Sequence, residues 1–302
     1  MFLKIRNLLF LQGPVILLGF LSTVIITRGY GVVGYGQVAF VIAISNIFAT
    51  VIRYGFDETL IILLNKTVDP RSFFYSSIAI RSLLYLVTVV GLIAGSIYGL
   101  LNSLQFAAIC SFLLVTLQIP VIYDFLEKQE KHIITLIISK LLFCLVLLFF
   151  YSLNFEVLFV FTVASLVSNV VLLALQLKFY LKERPFQVAS TLEQFSIKSS
   201  FRDLLKGNFI VMLASVLTLG VYSINQIFIK SSLGFELLGI FAIQWQVINI
   251  LVIFMKQVTR AFKPRLAKFS EQTREFHKVY RIYFVIVVSA PFILSSGIWV
   301  LY

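Results

Sequence analysis

Charge is what this sequence has least of. Only 13% of its 302 residues are Asp, Glu, Lys or Arg, and 60% are hydrophobic, where a soluble domain carries about 25% charged residues. Folded surfaces in water need polar atoms to face the solvent, so a water-soluble domain is excluded. Cysteine and histidine are scarce as well. Cys110 and Cys144 each fall inside an apolar run and read as small core residues. His132 and His277 stand alone beside lysines, so neither a disulfide framework nor a metal site is expected. A Walker-type phosphate loop, a Ser/His/Asp set and paired loop carboxylates are all missing, so no catalytic residue, no cofactor and no ATP-driven step is expected. Acidic residues number 13 against 25 basic ones, a net charge of +12. In a soluble protein that balance would suggest nucleic acid. Here the basic residues sit in the gaps between apolar runs, where they set topology, and nucleic acid is not expected as a partner.

What the chain has in abundance is long apolar runs. In lipid every backbone N–H and C=O must be paired internally, so only helices or closed barrels span. A barrel would show alternating segments of about ten residues. Residues 133–153 and 157–177 are unbroken apolar runs instead. With about 20 residues per span, nine spans emerge, at 8–27, 35–54, 78–100, 104–126, 133–153, 157–177, 207–229, 237–258 and 282–302. The expected fold is an all-α polytopic transmembrane bundle. Residues 1–180 form a first six-helix bundle, 181–206 a cytoplasmic linker, and 207–302 a partial second bundle of three helices. Within the linker region, residues 192–205 read either as an amphipathic interfacial helix or as plain linker. The first run has no small-residue cleavage site and reads as a retained span. Lys and Arg set orientation. With the N-terminus in the cytoplasm, all of the 25 except Arg28 and Lys230 fall on the inner side, and the odd span count places Tyr302 outside.

Ionisable groups inside spans are costly and mark function by default. Residues 35–64 would make about 45 Å of helix, longer than a hydrocarbon core of about 30 Å, so this helix tilts or runs into the interface. Arg53 and Asp57 are four apart on it and share a face. They read either as a cationic contact for a pyrophosphate head with its acidic partner or as an interfacial salt bridge. Excluding Lys140 from the membrane would leave residues 141–177 for two spans and a turn, too few. Lys140 is therefore expected about 10 Å inside the fifth span, either at a site or snorkelling to the interface. Lys256 and Arg260 read as anchors or site residues near the inner end of the eighth span. Arg28 is a lone cation at an outer end, meeting a phosphate or anchoring the helix. Asn225, Gln246, Asn249 and other amides in spans link helices or face a sugar-holding cavity. Short glycine turns at residues 31–36 and 234–239 echo one another across the linker, as in transporters built from repeats.

Residues 28–40 (RGYGVVGYGQVAF), 53–60 (RYGFDETL) and 220–264, which include YSINQIF at 222–228, LGIF at 238–241 and AFKP at 261–264, resemble the polysaccharide-unit flippases, the O-antigen and capsule translocases of the multidrug/oligosaccharidyl-lipid/polysaccharide exporter superfamily. The resemblance runs over the whole chain. It implies a flippase that moves an undecaprenyl-pyrophosphate-linked oligosaccharide repeat unit across the bacterial inner membrane by alternating access between two helical bundles. It also implies membrane lipids, a polysaccharide polymerase and chain-length proteins as partners. On that reading Arg53, Asp57, Lys140, Arg28, Asn225 and Lys256 are the expected substrate contacts. Two departures stand out. Asn225 takes a place where that family often has an acid, and nine spans compare with twelve or more in the family. The alternatives are a multidrug-type exporter of the same superfamily, a truncated inactive flippase product and a membrane polysaccharide polymerase.

Overall fold

The computed structural model describes residues 2–66, 70–99, 101–183 and 197–268. Eight α-helices follow in order: α1 (Phe2–Arg53), α2 (Phe56–Lys66), α3 (Pro70–Ile97), α4 (Ser103–Leu113), α5 (Val121–Phe125), α6 (Gln129–Tyr151), α7 (Val157–Glu183) and α8 (Ile197–Lys268). No strand occurs among the described residues. Six stretches are long and apolar enough to cross a membrane.

Two of those six, Phe10–Arg53 and Leu204–Ile250, run for 44 and 47 residues, about twice what one crossing needs. Each is bent at a glycine. Gly31 has φ 73° and ψ 178°, and Gly234 has φ 86° and ψ −177°, a region that essentially only glycine enters. Both elements fold back there. The side chains of Tyr35 and Thr23 hydrogen-bond across the first bend, and the rings of Tyr222 and Trp245 stack at 4.2 Å across the second. Counted as hairpins, α1 and α8 supply four crossings beside those of α3, α4–α5, α6 and α7. These correspond to the first eight spans expected from the sequence. The ninth, residues 282–302, lies outside the described residues, as does linker 184–196. The helix then begins at Ile197 and runs unbroken to Gly234.

The two hairpins meet at their bends. A side chain at Gly36 would overlap the Phe235 carbonyl oxygen, and one at Gly239 would overlap that of Val32. The contact is reciprocal, the signature of a local two-fold relation. The shift that carries Gly31 onto Gly234 also carries Val32 onto Phe235 and Gly36 onto Gly239.

Ala39, Ala43, Ala108, Ala164, Ser45 and Ser165 are buried between helices, while Phe10 and Tyr98 are each 83% exposed. Between lipid tails there is no hydrophobic gain from hiding a leucine. Small residues that let backbones approach hold such helices together, and large apolar side chains lie both inside, as Phe56 and Phe74 do, and outside. The fourth span is broken. A 3₁₀ turn at Leu114–Leu117 ends α4, and Gln118 is extended at φ −65° and ψ 145°. Pro120 then bars a continuous helix and opens α5.

Candidate functional site

A cavity of about 510 Å³ lies between both limbs of α1 and helices α4, α6, α7 and the second limb of α8. Its polar lining includes Ser22, Thr23, Ser139, Lys140, Asn169 and Asn249. Lys140 is the centre of α6, with Gln129 and Tyr151 eleven residues away on either side, or about 17 Å. That depth comes from an apolar helix with no other charge between Lys131 and its end at Tyr151. The cavity reaches the side chain, which is exposed to it although helices surround it. Its amine sits 5.6 Å from the Phe143 ring centroid, a cation–π approach. Among the described residues the lining contains no Asp or Glu, and Lys140 is its single charge.

Hydrogen bonds fix the surrounding walls. The Gly19 carbonyl accepts from Ser22 Oγ at 2.7 Å, from Thr23 Oγ1 at 3.4 Å and from Gln246 Nε2 at 3.3 Å. The last of these ties the α8 hairpin to α1. Ser139 donates to the Ser168 carbonyl at 3.0 Å, and Asn169 Nδ2 to that of Ser111 at 3.1 Å. These bonds hold α6 and α4 against α7, so the walls around the lysine are set by backbone acceptors.

A second polar cluster lies at the basic end, where α1 breaks before α2. Asp57 Oδ1 accepts from Arg81 Nη2 at 2.8 Å, and Asp57 Oδ2 lies 3.7 Å from Arg53 Nε. Arg81 is only 2% exposed, and its Nη1 donates to the Gln118 carbonyl at 2.9 Å. One guanidinium thus bridges the break after α1 and the break after α4, and its carbon lies 5.5 Å from the centre of the Phe56 ring. Apolar packing by Leu60, Ile61, Phe74, Val121 and Leu204 encloses the cluster. Lys128 and Lys131 both pair with Glu183 nearby in the chain's basic end, tying α6 to the end of α7.

The expected site residues therefore fall in several places. Lys140 lines the cavity. Arg53 and Asp57 do not line it and belong to the basic-end cluster. Arg28 is exposed near the Gly31 bend, and Asn225 is exposed on the first limb of α8. Lys256 lies on α8, and its side chain is outside the described residues. Arg81, read from the sequence only as a topology charge, is the buried centre of the second cluster. The signal was there: it stands twelfth in the 28-residue α3, well inside its span. Tyr35, Thr23 and Ser139 carry nothing in sequence that separates a cavity wall from a helix contact.

A family model described as "Polysaccharide biosynthesis protein" matches residues 5–270 of the chain. No curated protein matches it. Among solved structures, that of the MATE multidrug transporter DinF-BH in complex with R6G is similar, with a TM-score of 0.64 at 16% identity, covering 98% of this chain and 72% of that one. At that identity the likeness is one of fold.

Proposed function

Because the chain belongs to the polysaccharide biosynthesis protein family, we propose that it is a flippase for an undecaprenyl-pyrophosphate-linked oligosaccharide, an O-antigen or capsule repeat unit, and not an enzyme. It would act in the bacterial plasma membrane, with its N-terminus in the cytoplasm, supplying a polysaccharide polymerase and its chain-length partner. The observation that carries this reading is the charge of the cavity. One lysine stands at mid-depth with no carboxylate in the wall among the described residues, which suits an anionic head group. Serine, threonine and amide side chains around it can bond hydroxyls. Transport then means passing this head between two helical hairpins while the polyprenyl tail stays in lipid. A multidrug exporter is the second reading, favoured by the fold shared with DinF-BH. An organic cation would call for an acid where this cavity has a base, so the flippase reading is preferred.

The test is binding of undecaprenyl pyrophosphate to the full chain in nanodiscs. A hydrogen bond to a charged group contributes about 1.5–3 kcal/mol net, so Lys140→Gln should weaken binding by roughly ten- to a hundredfold, and Lys140→Arg should retain most of it. Equal binding by wild type and Lys140→Gln would remove the lysine from the site.

A further inference from the structure

The shared register of the two hairpins points to a second site. The shift that carries Gly31 onto Gly234 carries Gly19, Ser22 and Thr23, all in the cavity wall, onto Tyr222, Asn225 and Gln226. It carries Val38 and Ile42, also in that wall, onto Phe241 and Trp245. The reciprocal contacts of Gly36 and Gly239 hold this register in three dimensions. The α8 hairpin thus has a face equivalent to the cavity-lining face of α1, with different chemistry on it.

Where the first face has glycine, valine and isoleucine, the second has a set of near-parallel rings. Tyr222 and Trp245 stack at 4.2 Å with 24° between planes, and Phe241 lies 6.3 Å from Trp245 at 15°. Gln226 Nε2 donates to Tyr222 Oη at 2.7 Å. Gln226 Oε1 and Ser223 Oγ are buried with no hydrogen-bond partner among the described residues. Both residues are more than nine-tenths buried, and unmet polar groups are rare enough in folded proteins to call for a reason. Asn225 stands exposed beside them. None of these six residues is charged. The next residue after Trp245, Gln246, lines the cavity itself.

We propose that this α8 face, built on Tyr222, Asn225, Gln226, Phe241 and Trp245, is the saccharide subsite, the counterpart on the second hairpin of the cavity-lining face on the first. Pyranose rings present C–H groups that lie well on the electron-rich face of an aromatic ring, and their hydroxyls suit an amide that both donates and accepts. A neutral face fits a hydroxyl-rich group and offers a diphosphate no counter-charge. Recognition is then divided, with the charged link held by the first half and the sugar by the second. This rests on the flippase reading above.

The chain has two tryptophans, so Trp299→Phe leaves Trp245 as the sole reporter in the full chain. Undecaprenyl pyrophosphate, bare or capped with glucose, galactose, N-acetylglucosamine or N-acetylgalactosamine, is titrated in nanodiscs and Trp245 emission is followed. At least one capped probe should shift the emission and bind about tenfold more tightly than the bare one, a gain of about 1.4 kcal/mol. Asn225→Ala, at an exposed position, and Tyr222→Phe, which keeps the ring, should each shrink that gain and leave bare-probe affinity unchanged. If the bare probe binds through Lys140 but no cap adds affinity, the saccharide subsite is overturned and the anion site stands. Equal losses for capped and bare probes in Asn225→Ala and Tyr222→Phe would also overturn it. If neither probe binds, both readings fall.

Discussion

Arg81 can be buried because both ends of its guanidinium are occupied, by Asp57 and by the Gln118 carbonyl. Losing one member of a fully buried pair costs about 3–5 kcal/mol; here Asp57 is 30% exposed and keeps Arg53 nearby, so the loss is smaller. Arg81→Ala should therefore lower the melting temperature in detergent and the amount of protein in membranes, and adding Asp57→Asn should restore part of both. A melting temperature unchanged in Arg81→Ala would show that the pair holds nothing. Arg53 differs. It is 42% exposed and 3.7 Å from Asp57, and exposed pairs contribute about 0–1 kcal/mol. Arg53→Ala should leave stability near wild type while depressing surface polysaccharide, and normal polysaccharide would take Arg53 out of the site. The Arg53–Asp57 proximity was legible from their spacing of four. The partner that matters more, Arg81, was not, because it reaches Asp57 from a different helix and no spacing encodes that.

At the scale of elements, the glycine bends make the hairpins. An alanine at φ near 73° or 86° occupies a strained region, at about 1–3 kcal/mol each. Gly31→Ala and Gly234→Ala should each lower thermal stability, with roughly additive effects in the double variant. A pair with no measurable shift would mean that the bends tolerate a side chain. Helix positions were largely readable from apolar run length. The run at 133–153 became α6 (Gln129–Tyr151), and that at 157–177 became the start of α7 (Val157–Glu183). The break inside the fourth span was missed although Pro120 announced it, because the flanking residues stay apolar and hydropathy does not sense backbone geometry. The echo of the glycine turns was visible in sequence. Their reciprocal contact was not, since it depends on how two distant hairpins dock.

For the whole molecule, reporter fusions test the orientation derived from the basic residues. Fusions within residues 184–196 should report cytoplasm, and fusions at Asn154, in the turn between α6 and α7, should report the outer side. The opposite pair of signals would invert the molecule and with it the direction of transport. The cavity illustrates how far sequence reasoning extends. Chain arithmetic alone placed Lys140 in the membrane, but only the fold shows that among the described residues no acid joins it there.

That solitary charge has an energetic consequence. On the flippase reading proposed above, a diphosphate diester is dianionic, so the cavity holding it beside Lys140, the single charge among the described residues, would carry one net negative charge, and the empty cavity one positive charge. Across a membrane that is negative inside, each elementary charge is worth about 2.3 kcal/mol per 100 mV. The voltage pushes the loaded, negative form outward and draws the empty, positive form back. On the flippase reading, both halves of the cycle would then run downhill in the same field.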